Sequence, residues 1–408
     1  MPRYCEKFWI VNVCKWLWRD ENSGMATILS CFFIRPLFLI FLLYFISLNL
    51  CPTRANFYMQ ALILAGGKGT RLRPLTVYTP KPIVPVVNRP FLLYQIDVLR
   101  EAGITDITLS LSYKPDKIEQ ILGNGSDFGV NLRYITEPSP MGTGGAYKFA
   151  ADALRETTVV FNGDILTNLD IGHLIEYHRS KRSDATLAVV TVEDPSRYGI
   201  IEIDKDNRIK RFVEKPKSDE LSTLNINTIN AGIYILEPTI LDIIAADTNR
   251  SFEYDVFPDI LNRKLPFFAY VMQDEYWLDI GTPANYLAAH HDFLSGRISG
   301  FDLDKNALSD IATRSEIDKL SFIGEGCVIK PGVRILNSVI GAGVHIEEKA
   351  LIENSVIWSH TRISSAAEIR NAIIGRSCHI GRNAIVGDGA VLGDKTSLTD
   401  YTKTVNSE

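Results

Sequence analysis

A run of glycines followed by two fixed cations is the part of this sequence most suited to chemistry. The glycines of AGGKGT stand directly after the apolar stretch 60–65, which predicts a buried strand that ends in a glycine-rich loop. Glycine has no Cβ to keep an anion away from backbone N–H groups. Arg71 can hold phosphate oxygens in a bidentate fork, and Lys81 lies between two prolines that stiffen its backbone. The segment therefore predicts a polyphosphate site.

Two better-known glycine loops do not fit this segment. A Walker loop requires Ser or Thr after its lysine, but Lys68 is followed by Gly69. A dinucleotide fingerprint requires a third glycine where this chain has Leu72. A tight turn between a strand and a helix would explain the glycines alone, but it would not explain Arg71, Lys81 and the flanking prolines.

The motif L-A-G-G-x-G-T-R-L-x-P-L-T, followed by P-K-P, resembles the signature of the nucleotide-sugar pyrophosphorylases. These enzymes join a sugar 1-phosphate to a nucleoside triphosphate, and the resemblance covers about residues 59–400. It implies that the glycine loop and Arg71 hold the triphosphate, while Lys81 lies near the reacting phosphates. The residues that it assigns to the nucleotide are Leu64, Ala65, Gly66, Gly67, Gly69, Thr70, Arg71, Gly142 and Thr143.

A second glycine cluster, PMGTGGA, begins at Pro140 and precedes a helix that we predict over 146–154. Taken alone, the cluster is equally well explained by a plain turn into that helix. In the family that the chain resembles, this segment lies against the nucleobase, and thymidylyltransferases carry a base-reading Gln where this chain has Gly145. The departure counts against dTTP and favours a guanylyl- or adenylyltransferase.

Two aspartates follow predicted strands, where a metal-binding carboxylate would be expected. Asp164 ends the sequence N-G-D after a strand at 158–161, and Asp279 lies in W-L-D-I-G. From the residues alone, Asp164 could instead cap a helix beginning at Ile165, and Asp279 could be a hydrogen-bonded turn residue. The resemblance implies that both aspartates bind Mg²⁺. It also implies a catalytic set made of Arg71, Lys81, Asp164 and Asp279.

A sugar-phosphate site is implied by R-Y-G and the E-K-P that follows it. E-K-P alone equally describes a solvated strand end, but its position after RYGIIEID and before N-A-G matches the family. The resemblance implies that Gly199 offers backbone contacts, that Glu214 accepts from sugar hydroxyls and that Lys215 meets the sugar's phosphate. The full implied set is Gly163, Tyr198, Gly199, Glu214, Lys215 and Asn230.

Helices and strands alternate between residues 83 and 295, which predicts an α/β, Rossmann-like domain with a parallel or mixed sheet. Ligands then bind beyond the carboxyl ends of the strands. The predicted helices are 88–102, 114–122, 146–154 and 283–294. The predicted strands are 60–65, 106–112, 130–136, 158–161, 186–192, 198–203, 209–212, 267–272 and 276–280.

Aliphatic residues recur every six positions near the C-terminus, as at Ile323, Ile329 and Ile335, with a step of five between sets. Because helical cores do not repeat at six, we predict a left-handed β-helix of hexapeptide repeats with about four coils. Such a prism can carry acyltransferase sites, for which the candidate residues by type are His345, His360 and His379. The repeat is short for that activity, so we favour subunit assembly or regulatory contacts and predict a homo-oligomer.

The composition predicts a globular cytoplasmic protein of two or three domains without a nucleic-acid site, since 408 residues carry a net charge of −5. Residues 1–58 differ from the rest, with four of the six cysteines and three of the five tryptophans. Their apolar run at 36–50 is shorter than the ~20 residues that cross a bilayer. We predict an upstream translated extension. A membrane anchor is the alternative, so membrane contact is expected only if this segment belongs to the native protein.

The predicted organisation is an extension at 1–58, a nucleotidyltransferase domain at 59–295, a linker at 296–320, a β-helix at 321–400 and a tail at 401–408. EDPSRYGIIEID, RFVEKP and NAGIYIL resemble the mannose-1-phosphate guanylyltransferase branch, which implies GTP and mannose 1-phosphate as substrates. The alternatives are a glucose-1-phosphate adenylyl-, uridylyl- or thymidylyltransferase, and a non-catalytic sugar-nucleotide-sensing subunit related to translation-factor subunits. Such sensing subunits usually lose catalytic groups, whereas this chain has Arg71, Lys81, Asp164, Lys215 and Asp279.

Overall fold

The computed structural model describes residues 59–216, 226–301 and 309–404. The predicted extension at 1–58, with its apolar run, lies outside these residues. In the described ranges, no helix combines the length and apolar character needed to span a bilayer. The chain from Met59 onward forms one compact unit.

A mixed sheet forms the core of the first half of this unit. Its strands and the short strands beside it are β1 (Gln60–Leu64), β2 (Pro85–Val86), β3 (Arg89–Pro90), β4 (Asp106–Leu111), β5 (Asn131–Thr136), β6 (Thr158–Asn162), β7 (Ile165–Thr167), β8 (Ala185–Thr191), β9 (Gly199–Ile203), β10 (Ile209–Glu214), β11 (Thr228–Leu236), β12 (Phe267–Val271) and β13 (Trp277–Asp279). The main strand order is β10-β9-β11-β6-β1-β4-β5, with β8 beside β11 and β12 beside β8. Because β4, β1 and β6 run parallel, their carboxyl ends meet at one edge.

Helices cover both faces of the sheet. They are α1 (Leu92–Glu101), α2 (Pro115–Leu122), α3 (Gly142–Phe149), α4 (Ile171–Lys181), α5 (Thr239–Asp242), α6 (Phe257–Asn262) and α7 (Pro283–Leu294). Successive residues of β1 point to opposite faces, so Leu62 joins one buried apolar cluster and Ile63 joins the other. The central strands are therefore buried on both sides, which explains their continuous apolar sequences.

Two helices begin at other positions than the sequence predicted. The helix predicted over 88–102 begins at Leu92, because Val87 and Asn88 have positive φ and form the turn of the β2–β3 hairpin. The helix predicted over 146–154 begins at Gly142 and ends at Phe149, so the second glycine cluster is its first turn. The backbone of that turn is held from outside, since the N–H of Gly145 donates to the carbonyl of Arg250 at 2.9 Å.

The C-terminal half is the predicted left-handed β-helix. Its strands are β14 (Asp310–Ile311), β15 (Glu316–Ile317), β16 (Phe322–Ile323), β17 (Val328–Ile329), β18 (Arg334–Leu336), β19 (Val339–Ile340), β20 (His345–Ile346), β21 (Leu351–Glu353), β22 (Val356–Ile357), β23 (Arg362–Ile363), β24 (Glu368–Arg370), β25 (Ile373–Ile374), β26 (His379–Ile380), β27 (Ile385–Val386), β28 (Val391–Leu392) and β29 (Ser397–Leu398). Over the described residues they form three parallel sheets of six, five and five strands. The repeating aliphatic residues fill the interior, as Ile329, Ile346 and Ile363 do.

The β-helix is longer than the sequence predicted. β14 and β15 lie inside the predicted linker and pair with β17 and β18, so the first coil begins before residue 321. The described part of the predicted tail, 401–404, also belongs to the prism, because Lys403 bridges Ile385. The described part therefore has about five coils instead of four. The six-residue spacing does extend back through Ile317 and Ile311, but acidic and basic neighbours gave this stretch the composition of a linker.

One face of the prism packs against the nucleotidyltransferase half. The strands of this face carry a second, outward apolar residue next to each interior one. These outward residues lie in register and form what we call the docking face: Phe322, Val339, Val356, Ile373 and Val391. They share an apolar cluster with α7 and with the segment that follows the glycine loop. The sequence carries this signal in the paired letters FI, VI, VI, II and VL, whereas the six-residue spacing indicates only the interior residue of each pair.

Candidate active site

Asp164 and Asp279 are brought together by a short antiparallel strand pair. β13 pairs with β7 so that Asp279 lies opposite Ile165, the residue after Asp164. The N–H of Ile280 donates to the carbonyl of Asp164 at 3.0 Å, which closes the pair at this end. Asp164 does not cap a helix, because the residues after it form a strand. Two aspartates separated by more than a hundred residues in sequence therefore reach one site.

Lys81 and Arg71 each contact both of these carboxylates. The Nζ of Lys81 lies 2.9 Å from Oδ2 of Asp164 and 3.9 Å from Oδ1 of Asp279. The guanidinium of Arg71 lies 3.8 Å from Asp164 and 3.5 Å from Asp279. The Lys81 side chain is 9% exposed and that of Arg71 is 61% exposed, so Lys81 is buried while Arg71 faces solvent. The structure thus gathers all four residues of the predicted catalytic set.

The environment of Asp279 disfavours its negative charge. Burial raises the pKa of Asp279, and the nearby carboxylate of Asp164 raises this pKa further, against the opposing effect of Lys81 and Arg71. Oδ1 of Asp279 also accepts from the N–H of Gly281 at 2.7 Å, so the aspartate holds its own turn as well. Two anions kept close in a partly dry site are poised to accept additional positive charge.

Gly281 is required for this arrangement. A Cβ at position 281 would lie 2.6 Å from Nη2 of Arg71 and 2.7 Å from Oδ1 of Asp279. Such distances are far below van der Waals contact, so any side chain here would separate the guanidinium from the carboxylate. The glycine of the W-L-D-I-G motif therefore lets Arg71 approach Asp279.

A cleft of about 250 Å³ joins four segments that are distant in sequence. Its wall is formed by the glycine loop with the end of β1, the P-K-P segment, the start of α3 and the N-G-D turn. Its lining residues are Leu64, Ala65, Gly67, Lys81, Pro82, Thr143, Asn162, Gly163 and Asp164. Of the residues predicted to bind nucleotide, Leu64, Ala65, Gly67 and Thr143 thus face one cavity beside the aspartates.

The other residues predicted to bind nucleotide shape the surroundings of the cleft. The carbonyl of Gly66 accepts from the hydroxyl of Ser112, and that of Gly69 accepts from Oγ1 of Thr76 at 2.7 Å. Thr70 begins a single 3₁₀ turn that carries Arg71. Gly142 has a positive φ of 72°, and a Cβ there would meet the carbonyl of Arg250. These contacts fix the loop and the start of α3 on either side of the cavity.

The predicted sugar-phosphate residues form a second group on neighbouring strands. Gly199 of β9 pairs with Glu214 of β10. Burial raises the pKa of Glu214, and the carboxylate of Glu253 raises this pKa further. The Nζ of Lys215 lies 3.8 Å from Oε1 of Glu214, so the structure pairs it with its neighbour. The ring of Tyr198 meets that of Trp277, two residues before Asp279, edge to face at 5.6 Å.

Asn230 supports the backbone in this state of the protein. Its Oδ1 accepts from the N–H of Gly232 at 2.9 Å, and its Nδ2 donates to the hydroxyl of Tyr234 at 2.9 Å. These bonds hold β11 where the register with β8 shifts between Asn230 and Tyr234. A contact between Asn230 and a sugar stays a prediction.

Sequence reasoning missed two residues that support the cleft. The Nε2 of Gln95, on the buried face of α1, donates to the carbonyls of Asn162 and Ile165 at 2.9 and 2.8 Å. It thereby clamps both sides of the turn that presents Asp164. Glu253 accepts from Oγ1 of Thr143 at 3.0 Å and ties α3 to the segment before α6. A polar amide among apolar residues was a usable signal for Gln95, whereas no local pattern marks Glu253.

The donor set of the cleft fits a hard cation that keeps most of its own water. Within the part of the chain that the structure describes, no cluster of three or more His, Cys, Asp or Glu side chains could hold a metal by itself. Asp164 and Asp279 offer oxygen ligands only. Mg²⁺ is typically bound by one or two carboxylates together with water and substrate phosphates, so this pair suits it.

Comparisons with known proteins agree with this site. The model of the nucleotidyl transferase family matches residues 60–296, and that of the EIF2B subunit epsilon LbH domain matches residues 305–404. The chain is 37% identical over 305 residues to a mannose-1-phosphate guanylyltransferase of Mycobacterium tuberculosis, covering 72% of this chain and 82% of the relative. It is 35% identical over 319 residues to a mannose-1-phosphate guanyltransferase of Pichia angusta, covering 72% and 84%.

A solved structure shares the fold of the first half. The crystal structure of HddC from Yersinia pseudotuberculosis superimposes with a TM-score of 0.50 and 36% sequence identity, covering 58% of this chain and 99% of that one. The family match spans more than half of the sequence and includes Arg71, Lys81, Asp164 and Asp279. As its motifs predicted, the chain belongs to the nucleotidyl transferase family.

Proposed function

We propose that this protein transfers a guanylyl group from GTP to mannose 1-phosphate, forming GDP-mannose and pyrophosphate. The observation that carries the proposal is the convergence of Arg71, Lys81, Asp164 and Asp279 on one cleft beside the glycine loop. The names of the relatives support the choice of substrates. The matches to the M. tuberculosis and P. angusta proteins cover over four fifths of each relative, and both relatives are named as mannose-1-phosphate guanylyl- or guanyltransferases.

The chemistry requires two polyanions to be brought into contact. An oxygen of the sugar 1-phosphate attacks the α-phosphorus of the triphosphate, and pyrophosphate leaves. This nucleophile is already ionised at neutral pH, so no general base is needed. Two like unit charges about 4 Å apart repel by roughly 4 kcal/mol at an effective dielectric near 20. Arg71 and Lys81 lie where they can offset this repulsion, and Lys215 would meet the phosphate of the sugar.

Asp164 and Asp279 would hold the Mg²⁺ that we propose as cofactor. When bound, Mg²⁺ would neutralise phosphate charge and help to orient the phosphates for in-line displacement. In the described state, the two aspartates are contacted by Lys81 and Arg71 instead. These cations would turn from the carboxylates to the phosphates when substrates enter, so the same charges would serve both states.

Two residues favour guanine over other bases. A Cβ at Gly145 would lie 2.5 Å from the carbonyl oxygen of Thr248, so the base-reading glutamine of thymidylyltransferases does not fit here. Glu137 lies beside the glycine loop, with Oε1 3.1 Å from where a Cβ of Gly66 would stand. The carboxylate of Glu137 accepts from the hydroxyl of Ser110 at 2.9 Å and from the N–H of Met141 at 3.2 Å. Each oxygen has a further lone pair, which would accept from the adjacent N1–H and N2–H₂ donors of guanine. Adenine presents an acceptor next to its single amino donor on the corresponding edge.

The proposal includes a homo-oligomer that assembles through the β-helix, in a cytoplasmic protein. The docking face is covered by the nucleotidyltransferase half, so assembly would use the other two faces of the prism. Light scattering on the purified protein would measure the mass of the assembly. A monomer at micromolar concentration would remove this part of the proposal without affecting the catalytic part.

A substrate grid tests the proposed reaction. Purified protein is supplied with Mg²⁺ and with each pair formed from GTP, ATP, UTP or dTTP and mannose or glucose 1-phosphate, and pyrophosphate release is measured. We expect the highest kcat/KM with GTP and mannose 1-phosphate, and loss of activity when EDTA removes the metal. A clear preference for another triphosphate would reject the guanylyl assignment, and no release with any pair would favour the sugar-nucleotide-sensing alternative.

A further inference from the structure

The apolar interface between the two halves lies directly behind the charged groups of the cleft. The buried cluster that contains the docking face also contains Leu72, Val84, Leu166 and Ile280. Leu72 and Ile280 are chain neighbours of Arg71 and Asp279, while Leu166 and Val84 lie two and three residues after Asp164 and Lys81. Every member of the catalytic set is therefore anchored by a nearby residue that packs in this interface.

Polar contacts from the β-helix also reach the segment that carries Lys81, on both sides of that residue. Before Lys81, the Oγ1 of Thr79 accepts from Nη1 of Arg376 at 3.3 Å. After it, the carbonyl of Pro85 accepts from the hydroxyl of Tyr286, which in turn accepts from Nε1 of Trp358 at 2.9 Å. Lys81 therefore lies between one anchor made by the β-helix itself and one made by Tyr286 of α7, whose hydroxyl is contacted by Trp358 of the β-helix.

The two anchors meet at a single side chain. The guanidinium carbon of Arg376 stacks 5.3 Å from the centre of a Trp358 ring, so Trp358 supports the first anchor while donating to the second. Trp358 is 1% exposed and Tyr286 is fully buried, so the hydrogen bond between them is shielded from water. Farther along the segment, Nδ2 of Asn88 donates to the carbonyl of Ile340 at 2.8 Å.

We propose that Trp358 and Arg376 are positioning residues for nucleotidyl transfer, which hold the segment 79–88 so that the backbone of Lys81 stays fixed beside the cleft. From this position the Nζ of Lys81 contacts Asp164 and Asp279 in the described state and would contact the phosphates when substrates enter. This inference rests on the proposed function and assigns the β-helix a role in catalysis besides assembly. Lys81 is the most buried cation of the cleft, so its position depends on its backbone. A displacement of about 1 Å at a reacting group can cost on the order of a hundredfold in rate.

Conservative substitutions test the proposal through the split between kcat and KM. Trp358→Phe keeps an aromatic ring but loses the N–H donor, and Arg376→Gln loses the stacked guanidinium. We expect either change to lower kcat about tenfold, with KM for both substrates within about twofold, because the glycine loop still binds the triphosphate. Tyr401→Phe and Arg382→Gln remove the same kinds of group from exposed positions of the β-helix and should leave kcat unchanged.

A double-mutant cycle distinguishes positioning from a general loss of structure. If Trp358 acts through Lys81, then Trp358→Phe should lower the single-turnover rate about tenfold in the parent protein and have little further effect in a Lys81→Gln background. If Trp358→Phe lowered the single-turnover rate by the same factor in the parent protein and in the Lys81→Gln background, the proposal would be overturned. It would also be overturned by a loss of rate that is fully accounted for by a larger unfolded fraction in the thermal unfolding curve.

Hydrogen exchange tests the same inference without using activity. Backbone N–H groups of Ile83, Val84 and Phe91 are hydrogen bonded within or next to the segment. In Trp358→Phe we expect these amides to exchange several-fold faster, while amides of the distant strand β5 stay unchanged. Unchanged exchange at 83–91 would reject the positioning role, even if the substrate grid shows that the parent protein is active. If the grid finds no activity, the proposed function fails, and this measurement still decides whether the β-helix holds the segment.

Discussion

Pairs of arginine and carboxylate occur both in the cleft and along the β-helix, and the two sets differ in their surroundings. On the β-helix, Arg362 lies 2.5 Å from the half-buried Glu347, and the exposed Arg382 lies 2.9 Å from Asp400. The hydrogen bond from Arg362 lowers the pKa of Glu347. In the cleft, two carboxylates share Lys81 and Arg71, and burial together with Asp164 raises the pKa of Asp279.

This difference separates charges that serve the fold from charges that serve a ligand. Glu347 and Asp400 of the β-helix gain an arginine partner on folding, and hydrogen bonds lower the pKa of both carboxyls, so their ionised forms are favoured. The cleft instead keeps two anions near each other in a partly buried site, an arrangement that is unfavourable until additional positive charge arrives. Away from the contacts of Trp358 and Arg376, substitutions in the β-helix should therefore change stability, whereas substitutions in the cleft should change activity. The following predictions test that separation.

The largest effect is expected from the aspartates of the cleft. Asp164→Asn and Asp279→Asn should each lower kcat by about a thousandfold or more, on the order of 4 kcal/mol of transition-state stabilisation. Asp279→Asn should also raise Tm, because the folded protein no longer bears a carboxylate whose charge burial disfavours. Steady-state kinetics and thermal unfolding check both parts. Activity near that of the parent protein in both variants would contradict the assignment of the cleft.

The interior of the β-helix should show the opposite behaviour. Ile363 is fully buried on a strand away from the docking face. Ile363→Ala should lower the free energy of unfolding by about 2–5 kcal/mol, because it leaves a cavity in the prism. The kcat per folded molecule at low temperature should stay within about twofold of the parent value. A tenfold lower kcat at full folding would show that the β-helix interior and the cleft are more closely coupled than we describe.

A structural carboxylate of the nucleotidyltransferase half should control stability at acid pH. The hydrogen bond from His178 at 3.0 Å is the main cause that lowers the pKa of Glu237. A lowered folded-state pKa gives stability that is present above the ordinary glutamate pKa of 4.5 and is lost as pH falls through the folded value. Glu237→Gln should therefore flatten the fall of Tm below about pH 4.5. Parallel Tm profiles for the parent and the variant would contradict this role.

The smallest effect is expected from a surface pair of the β-helix. Arg382→Gln removes the ion pair with Asp400, and exposed pairs of this kind contribute little to stability because water and salt screen them. Both kcat and the unfolding free energy should stay close to those of the parent protein, and 0.5 M salt should make the small difference smaller still. A loss of several kcal/mol would show that the surface charges of the prism act as a network.

Much of the architecture could be predicted because its signals are local. The α/β fold is confirmed, since Leu62 and Ile63 belong to a run that only a strand buried on both faces explains. The left-handed β-helix is confirmed by aliphatic residues such as Ile346 and Ile363 at a spacing that helices do not use. The first coil could not be predicted because Ile311 and Ile317 have charged neighbours. These neighbours give the stretch the composition of a linker, although Asp310 and Glu316 are only solvent-exposed residues of the first coil.

The cleft was less accessible to sequence reasoning because its contacts are long-range. Motif order places Asp164 at the end of β6, beside the glycine loop, but no local pattern states that β13 returns to pair with β7 and present Asp279. The role of Gln95 depends on a helix packing under the N-G-D turn. The site residues stay predictions, and the structure adds the distances that make them testable.

A crystal structure with GDP-mannose and Mg²⁺ tests the central claim most directly. We predict that the diphosphate lies in the cleft, with the metal between it and the carboxylates of Asp164 and Asp279. Lys81 and Arg71 should then contact phosphate oxygens instead of the aspartates. A diphosphate bound away from both aspartates, with the Lys81–Asp164 contact of 2.9 Å intact, would contradict this account.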